Sequence, residues 1–334
     1  MVLDELEHKV KAKGPTELLM ENLTMLTPLK QPVVFELVGF YVPPGSGPLF
    51  FCVTLIAYLL TLLANGVVAG VILIDKSLHR PMFIMICHLV VCDLLGATAM
   101  LPRLMVHFLT GHKRIPYVVA IIQALCVHTY GAGIQTILAV MAYDRYVAVC
   151  EPLRYATIMT PARLHTCCSL AWLAAVLSIG VLFAFHADVQ LCGNIIQHVY
   201  ISNRGILDLA CSPTPINNIY GLSMTWTLST SVFLIIALSY FRILNAGVKH
   251  DRTGINSKAL RTCATHLVVY VVYEVATLVI IVSLRFPSLS PNVKKFCSIL
   301  FIVVPPAVNP VIYGLVSKEL RASIIKQLST KAHK

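Results

Sequence analysis

Charged residues are scarce in this chain of 334 residues: Asp, Glu, Lys and Arg together make up 12% of it, whereas a soluble domain has about 25%. Apolar residues make up 57%, and the mean hydropathy is +0.79. So low a charge content excludes a soluble globular enzyme, and so high an apolar content excludes a disordered chain. The composition predicts an integral membrane protein whose solvent is lipid.

Other features are also missing. No Cys-x-x-Cys pair lies beside a histidine cluster, and the eleven cysteines lie mostly in apolar runs, where they are typical of small buried residues. No low-complexity tract or repeat of 20–50 residues is present. The cysteine pattern therefore predicts no structural zinc site. We also expect no cofactor, no enzymatic activity and no nucleic-acid partner.

Long apolar windows are what the sequence does contain. A helix that crosses the hydrocarbon core needs about 20 apolar residues. Seven such windows are present, which predicts an all-α bundle of seven transmembrane helices. They cover residues 50–74, 82–106, 116–141, 166–186, 217–243, 259–284 and 296–316.

The flanking charges predict the orientation. With the N-terminus outside, fifteen of the 26 lysines and arginines fall on the cytoplasmic side and seven in the opposite loops and helix ends, with four more in the leading segment, as the positive-inside rule favours. Asn22 begins a glycosylation sequon, which has meaning only outside the cell. Residues 317–328 would form a helix with apolar side chains, Ile325 among them, on one face and basic side chains on the other. Such a helix is predicted to lie on the inner leaflet. We expect an outer segment 1–49, a bundle 50–316 and a cytoplasmic helix and tail 317–334, in the plasma membrane.

Seven spans fit three classes of protein: a ligand-activated signalling receptor, a transporter or channel, and a retinal-type photoreceptor. A transporter usually has an internal repeat and several charges at mid-membrane, but only Asp93 and Glu274 lie there and no pattern is duplicated. A retinal protein needs a lysine within the last span; Lys294 and Lys295 lie at its outer end, and no basic residue follows before Lys318. A receptor is favoured.

Two runs at the cytoplasmic ends of spans support the receptor interpretation. Met141–Cys150 contains Asp144-Arg145-Tyr146, in which the acid can hold the arginine until neighbouring helices separate. Pro305–Tyr313 contains Asn309-Pro310, a bend whose asparagine can reach Asp93 and Asn65.

These runs resemble the rhodopsin-like G-protein-coupled receptors and, among them, the vertebrate odorant receptors. The same resemblance is carried by the runs 35–40, 78–83, 89–93, 101–103, 239–240 and 258–266. It implies a receptor that binds a small molecule within the bundle and activates a heterotrimeric G protein of the olfactory stimulatory type, raising cyclic AMP. The alternatives are a receptor for a circulating metabolite and, from another class, a seven-span transporter. The switch residues it implies are Asp144, Arg145, Tyr146, Tyr240, Lys258, His266, Asn309, Pro310 and Tyr313.

The resemblance also implies a ligand pocket among spans three, five, six and seven. Where odorant receptors carry a Phe-Tyr-Gly stretch, this chain has Tyr273-Glu274-Val275, and His128 could approach Glu274. Two interpretations stay open: an anchor for a polar ligand, such as an amine, or an internal hydrogen bond from Glu274 to a histidine or tyrosine. The candidate pocket residues are Gln123, His128, Gly131, Thr225, Glu274, Thr277 and Ile299.

The sequence departs from the family at a disulfide. The family's cysteine in span three corresponds to Ala120, and its partner in the second outer loop corresponds to Ile201, so both halves of that bridge are missing. A second loop bridge of odorant receptors is matched by Cys192 and Cys211, which we expect to be bonded. The rival expectation is that Cys126 takes part in a replacement for the missing bridge.

Asp93 corresponds to the aspartate of the receptor sodium site, and Asn65 and Asn309 are its expected neighbours. Odorant receptors often add an acid in span three, where this chain has Ile134. Sodium binding is therefore in doubt here, and the polar cluster is expected to act as a relay between helices.

Overall fold

The structure is a computed structural model that describes residues 34–249, 253–285 and 290–332. Seven helices in these ranges are long and apolar enough to cross a membrane. In chain order, α1 to α7 are Gly47–Ile74, Pro81–Thr110, Tyr117–Cys150, Pro161–Ala184, Pro215–Lys249, Thr253–Arg285 and Pro291–Val316. Every predicted span falls on one of these helices, which confirms the predicted fold class.

Several helices extend beyond the apolar windows. The α3 helix continues to Cys150, nine residues past the predicted end at 141. Hydropathy detects only the part of a helix that lies in hydrocarbon, whereas backbone hydrogen bonding continues into the aqueous loops. Helix starts follow the expected chemistry: α2 and α4 begin with a proline, and the Thr160 hydroxyl accepts a hydrogen bond from the Arg163 amide at 3.3 Å. The α2 helix ends at Gly111, whose φ of 67° is left-handed.

The prolines inside α7 remove backbone donors within the bundle. Each proline leaves the carbonyl four residues earlier without its helical partner. The carbonyl freed by Pro310 accepts a hydrogen bond from Asn65 Nδ2 on α1, at 2.9 Å. The carbonyl freed by Pro305 accepts one from the Tyr130 hydroxyl on α3, at 3.4 Å. These polar side chains therefore satisfy the bent helix where lipid offers no donor.

The core of the bundle lies around α3, which packs against α2, α4, α5 and α6. Close approach of α2 and α3 depends on Gly96, because a Cβ atom there would lie 2.7 Å from the Tyr130 ring. The α1 helix lies at the rim, and Leu49, Ile56 and Leu63 on its outer face are more than half exposed. Such an apolar outer face is what contact with lipid requires.

A small sheet covers the end of the bundle where α2 meets α3. Its strands are β1 (Val34–Leu37), β2 (Arg114–Pro116) and β3 (Ile195–Ile196), in the order β2-β1-β3. β1 is antiparallel to β2 and parallel to β3. The sequence analysis did not predict these strands, because two to four residues are too few to show an alternating pattern.

A further long helix lies at the other end. The α8 helix, Lys318–Ala332, packs against α1, and its Leu320 side chain is fully buried. Ser323 donates a hydrogen bond to Asp75 Oδ2 at 2.5 Å, directly after α1 ends. The predicted amphipathic helix is therefore present, although Ile325, assigned to its apolar face, is 60% exposed. Short helical turns occupy Lys76–Leu78, Pro152–Arg154, Tyr155–Ile158 and, in the α4–α5 loop, Asn203–Leu207.

Candidate ligand cavity and cytoplasmic switch

A cavity of about 190 Å³ lies among α3, α4, α5, α6 and α7, beneath the loop that joins α4 to α5. Sites for drug-sized ligands measure roughly 300–1,000 Å³, so this cavity suits a smaller molecule. Its walls are mainly apolar: Val127, Ala132, Ile179, Leu182, Leu222, Met224, Leu228, Ile280, Ile281 and Phe301.

Four of the seven predicted pocket residues line this cavity: His128, Gly131, Thr225 and Thr277. The other three do not. Gln123 is buried between α2 and α3, where its Nε2 donates to the Ala99 carbonyl at 2.8 Å. Ile299 packs against the main apolar core.

Glu274 is the third predicted residue that lies outside the lining. Its Oε1 accepts a hydrogen bond of 2.9 Å from Gln135 Nε2, and the same nitrogen donates to Ser229 Oγ at 2.8 Å. The predicted partners are engaged elsewhere: the Tyr273 hydroxyl donates to the Gly131 carbonyl at 2.8 Å. Of the two interpretations of Glu274, the geometry fits an internal hydrogen bond, with a glutamine as the partner.

The roof of the cavity belongs to the α4–α5 loop. His128 Nε2 accepts a hydrogen bond from the Asn203 amide at 3.0 Å, which joins the loop to α3. Next to it, Arg204 lies between Asp208 and Asn218. Sequence reasoning missed Asn203 and Arg204 as pocket residues, because no local pattern shows that this loop folds inward.

The same loop contains the predicted disulfide, since Cys192 and Cys211 are bonded with their Cα atoms 4.9 Å apart. At the missing bridge, Ala120 and Ile201 are both fully buried and belong to one apolar cluster. Cys126 has a free thiol, so the rival expectation for it was wrong.

The predicted polar relay lies deeper in the bundle. Asn309 Nδ2 donates to both carboxylate oxygens of Asp93, at 3.2 and 3.0 Å. Asn65 turns instead to the α7 backbone, as described above. Ile134, at the position of the family's second acid, is fully buried and supplies no oxygen ligand. Among the described residues, no group of three or more His, Cys, Asp or Glu side chains could hold a metal ion.

At the predicted switch, neighbouring residues of α3 and the turn that follows it hold Arg145. The Arg145 guanidinium forms an ion pair with Asp144, with Nε 2.9 Å from Oδ2. The Tyr155 hydroxyl donates to the other oxygen of Asp144 at 2.8 Å. Sequence reasoning missed Tyr155, which no spacing rule connects to this acid.

The other predicted switch residues surround this pair. Tyr146 and Tyr240 are half-buried against the core, and Tyr313 is 2% exposed. His266 is buried, and neither ring nitrogen has a hydrogen-bond partner among the described residues. Lys258 falls within α6, but its side chain lies outside the described residues, as does Asn22.

The arrangement of the seven helices is similar to that in a solved receptor structure. The crystal structure of squid rhodopsin aligns with a TM-score of 0.70 and 15% sequence identity, covering 87% of this chain and 91% of that chain. The fold is therefore the seven-helix bundle that rhodopsin has.

Sequence comparisons identify the family within this class. The family model for the olfactory receptor matches residues 51–331. Human olfactory receptors 10G6 and 2K2 are 33% and 32% identical to this chain, over 87% and 88% of it and 87% and 93% of their own lengths. Mouse olfactory receptor 1M1 is 31% identical over 89% of this chain and 95% of its own length.

The chain belongs to the olfactory receptor family. It is a multi-pass plasma-membrane receptor for small molecules that couples to a G protein, and it is not an enzyme. The predicted family and general function are confirmed.

Proposed function

We propose that this receptor binds a small, partly polar odorant in the cavity beneath the α4–α5 loop and activates the stimulatory olfactory G protein, raising cyclic AMP. The cavity itself is the observation that carries the proposal. Its walls are mainly apolar, and its polar groups include His128, Asn203 and Arg204 at the roof. A volatile molecule with one polar group has this distribution of surface.

The helix that carries the signal is α6. Tyr273 and Thr277 line the cavity, and His266, about two turns away on the same helix, is buried near the cytoplasmic end. An odorant that binds better when α6 has moved outward shifts the population toward that state, and a coupling free energy of about 1–3 kcal/mol is typical.

Outward movement of α6 would open a cleft beside Arg145. The guanidinium then leaves Asp144 and Tyr155, and it is stabilised in the cleft by Tyr240 and Tyr313 and by the G protein. The N-terminus lies outside the cell and the C-terminus inside, an orientation supported by the excess of lysine and arginine on the inner side.

The test is a cyclic AMP assay in cells that express the olfactory G protein, with surface staining of every variant. Arg145→Ala is expected to abolish the odorant response at unchanged surface level. The matched control is Arg154→Ala, an exposed arginine in the turn that follows α3. Retained signalling in Arg145→Ala, or equal loss in both variants, would contradict the mechanism.

A further inference from the structure

The ligand cavity carries one formal charge. Among the lining residues that the structure describes, only Arg204 has a charged side chain. Glu274, the predicted anchor for an amine, lies outside the lining and is hydrogen-bonded to Gln135. His128 adds no positive charge, because its Nε2 accepts a hydrogen bond and is therefore unprotonated. A cationic ligand would meet only a like charge in this cavity.

We propose that Arg204 binds the carboxylate of an acidic odorant at the roof of the cavity, so that the receptor is selective for small carboxylic acids with an apolar tail. This inference rests on the proposed function, that the odorant binds in this cavity.

Some N–H groups of the Arg204 guanidinium are available to a ligand. Its Nε lies 2.9 Å from Asp208 Oδ1 in an ion pair, and its Nη1 donates a hydrogen bond to Asn218 Oδ1 at 2.9 Å. A guanidinium has five N–H groups, so three are left without a protein acceptor within the described part of the chain. A carboxylate accepts two parallel N–H bonds from such a planar edge, which an ammonium or an alcohol cannot do.

Asp208 does not exclude a second anion. The Arg204–Asp208 pair is four residues apart in a short helix, and its side chains are 40% and 45% exposed. Pairs this exposed are weak, because water solvates both charges. Arg204 also lines a groove that opens outward beside Asp208 and Pro213, so it lies between the outer solution and the cavity. A ligand entering from this side meets the guanidinium first.

The rest of the cavity and the surrounding surface suit an acid with an apolar tail. Below the roof, Ile179, Leu182, Leu228, Ile280 and Phe301 offer apolar contacts. The surface around the loop carries more cations than acids, and such a field raises the local concentration of anions. In the described outer segments the cations are Arg103, Lys113, Arg114, Arg204, Lys294 and Lys295, and the acids are Glu36, Asp188 and Asp208.

The experiment measures cyclic AMP in cells that express the full-length receptor and the olfactory G protein, with surface staining. The probes are straight-chain carboxylic acids, primary alcohols and primary amines matched in carbon number. The variants are Arg204→Gln, Arg204→Lys and Asp208→Asn. The control is Arg114→Gln, which removes an exposed charge from the same surface without touching the cavity lining.

We expect wild type to prefer acids, and Arg204→Gln to raise the half-maximal acid concentration by about 10- to 100-fold, as the loss of a charged hydrogen bond predicts. The potency of alcohols at Arg204→Gln should stay within about threefold of that at wild type, since an alcohol does not need the charge. Arg204→Lys should restore part of the acid response, and Asp208→Asn should increase acid potency. Arg114→Gln removes one of several surface cations and should shift acid potency by less than about threefold.

A wild-type preference for amines or alcohols would overturn the inference while leaving the proposed function intact. The same holds for an Arg204→Gln variant that responds normally to acids, and for one that loses its acid and alcohol responses equally. Silence toward all three classes at full surface level would overturn the proposed function, and this inference with it.

Discussion

Gln135 hydrogen-bonds three helices together. Its Nε2 donates to Ser229 on α5 and to Glu274 on α6, while its backbone belongs to α3. A carboxyl group within a membrane is costly unless a polar partner meets it. Gln135 therefore provides a structural reason for Glu274 that needs no ligand.

This arrangement predicts a non-additive loss of stability. Gln135→Leu removes a donor from the Glu274 carboxyl and should lower the free energy of unfolding by about 1–3 kcal/mol. Replacing both residues with leucine should recover part of this loss, because no unpaired carboxyl group then remains within the bundle. Thermal unfolding of the purified receptor in detergent measures the effect, with Glu274→Gln as the isosteric control. A double variant whose loss equals the sum of the two single losses would exclude the coupling.

The sequence predicted which polar residues lie within the bundle better than it predicted which of them are hydrogen-bonded to each other. The sequence shows that Asp93 and Glu274 lie within spans, and both have polar partners. It does not show how far α3 is rotated relative to α6, so it predicted His128 near Glu274, where the structure has Gln135. Rotation about a helix axis depends on packing against several neighbours at once.

Among the elements, α8 is linked to the helical turn Lys76–Leu78 by the carboxylate of Asp75. Asp75 accepts hydrogen bonds from Ser323 Oγ, Ser77 Oγ and the Ser77 amide, at 2.5, 2.7 and 3.0 Å. These bonds, with that from Ser323 the largest contribution, lower the pKa of Asp75 from 3.8 to about 2. The ionised form is therefore the one that α8 docking stabilises.

The lowered pKa determines the pH range over which docking weakens. The contribution of Asp75 is fully present above about pH 4, the range of an unperturbed Asp, and is lost as the pH falls through about 2. At neutral pH, Asp75→Asn should speed amide hydrogen exchange in α8, as measured by mass spectrometry. Arg80→Gln, which breaks only the exposed 3.2 Å pair with Glu319, should change exchange little. Unchanged exchange in Asp75→Asn would rule out this contact as the tether.

The long elements were predictable and the short ones were not. Twenty apolar residues in succession have few alternatives to a membrane helix, so all seven spans were found. The strands of the small sheet are at most four residues long, and they pair residues far apart in the sequence, Phe35 with Ile115 and Leu37 with Ile196. The pairing register of strands so far apart in the sequence depends on tertiary packing. No local periodicity in the sequence therefore predicts it.

At the scale of the whole molecule, the charge asymmetry predicts which end faces the cytoplasm. If the N-terminus is outside, Asn22 is accessible to the glycosylation machinery, although it lies outside the described residues. Treating the expressed receptor with a glycosidase should increase its electrophoretic mobility, and Asn22→Gln should abolish that shift. An antibody to a C-terminal tag should stain only permeabilised cells. Staining of intact cells by that antibody would reverse the proposed orientation.

The apolar contact at Ala120 and Ile201 gives the cavity roof a temperature dependence. Burial of apolar side chains weakens on cooling, whereas a covalent cross-link at this position would hold at every temperature. The loop meets α3 there through buried side chains and, nearby, through the His128 hydrogen bond. It can therefore separate from α3 and return without breaking a covalent bond. Exchange of ligand beneath the roof should therefore respond to temperature, while a reductant would act on the Cys192–Cys211 bridge within the loop itself.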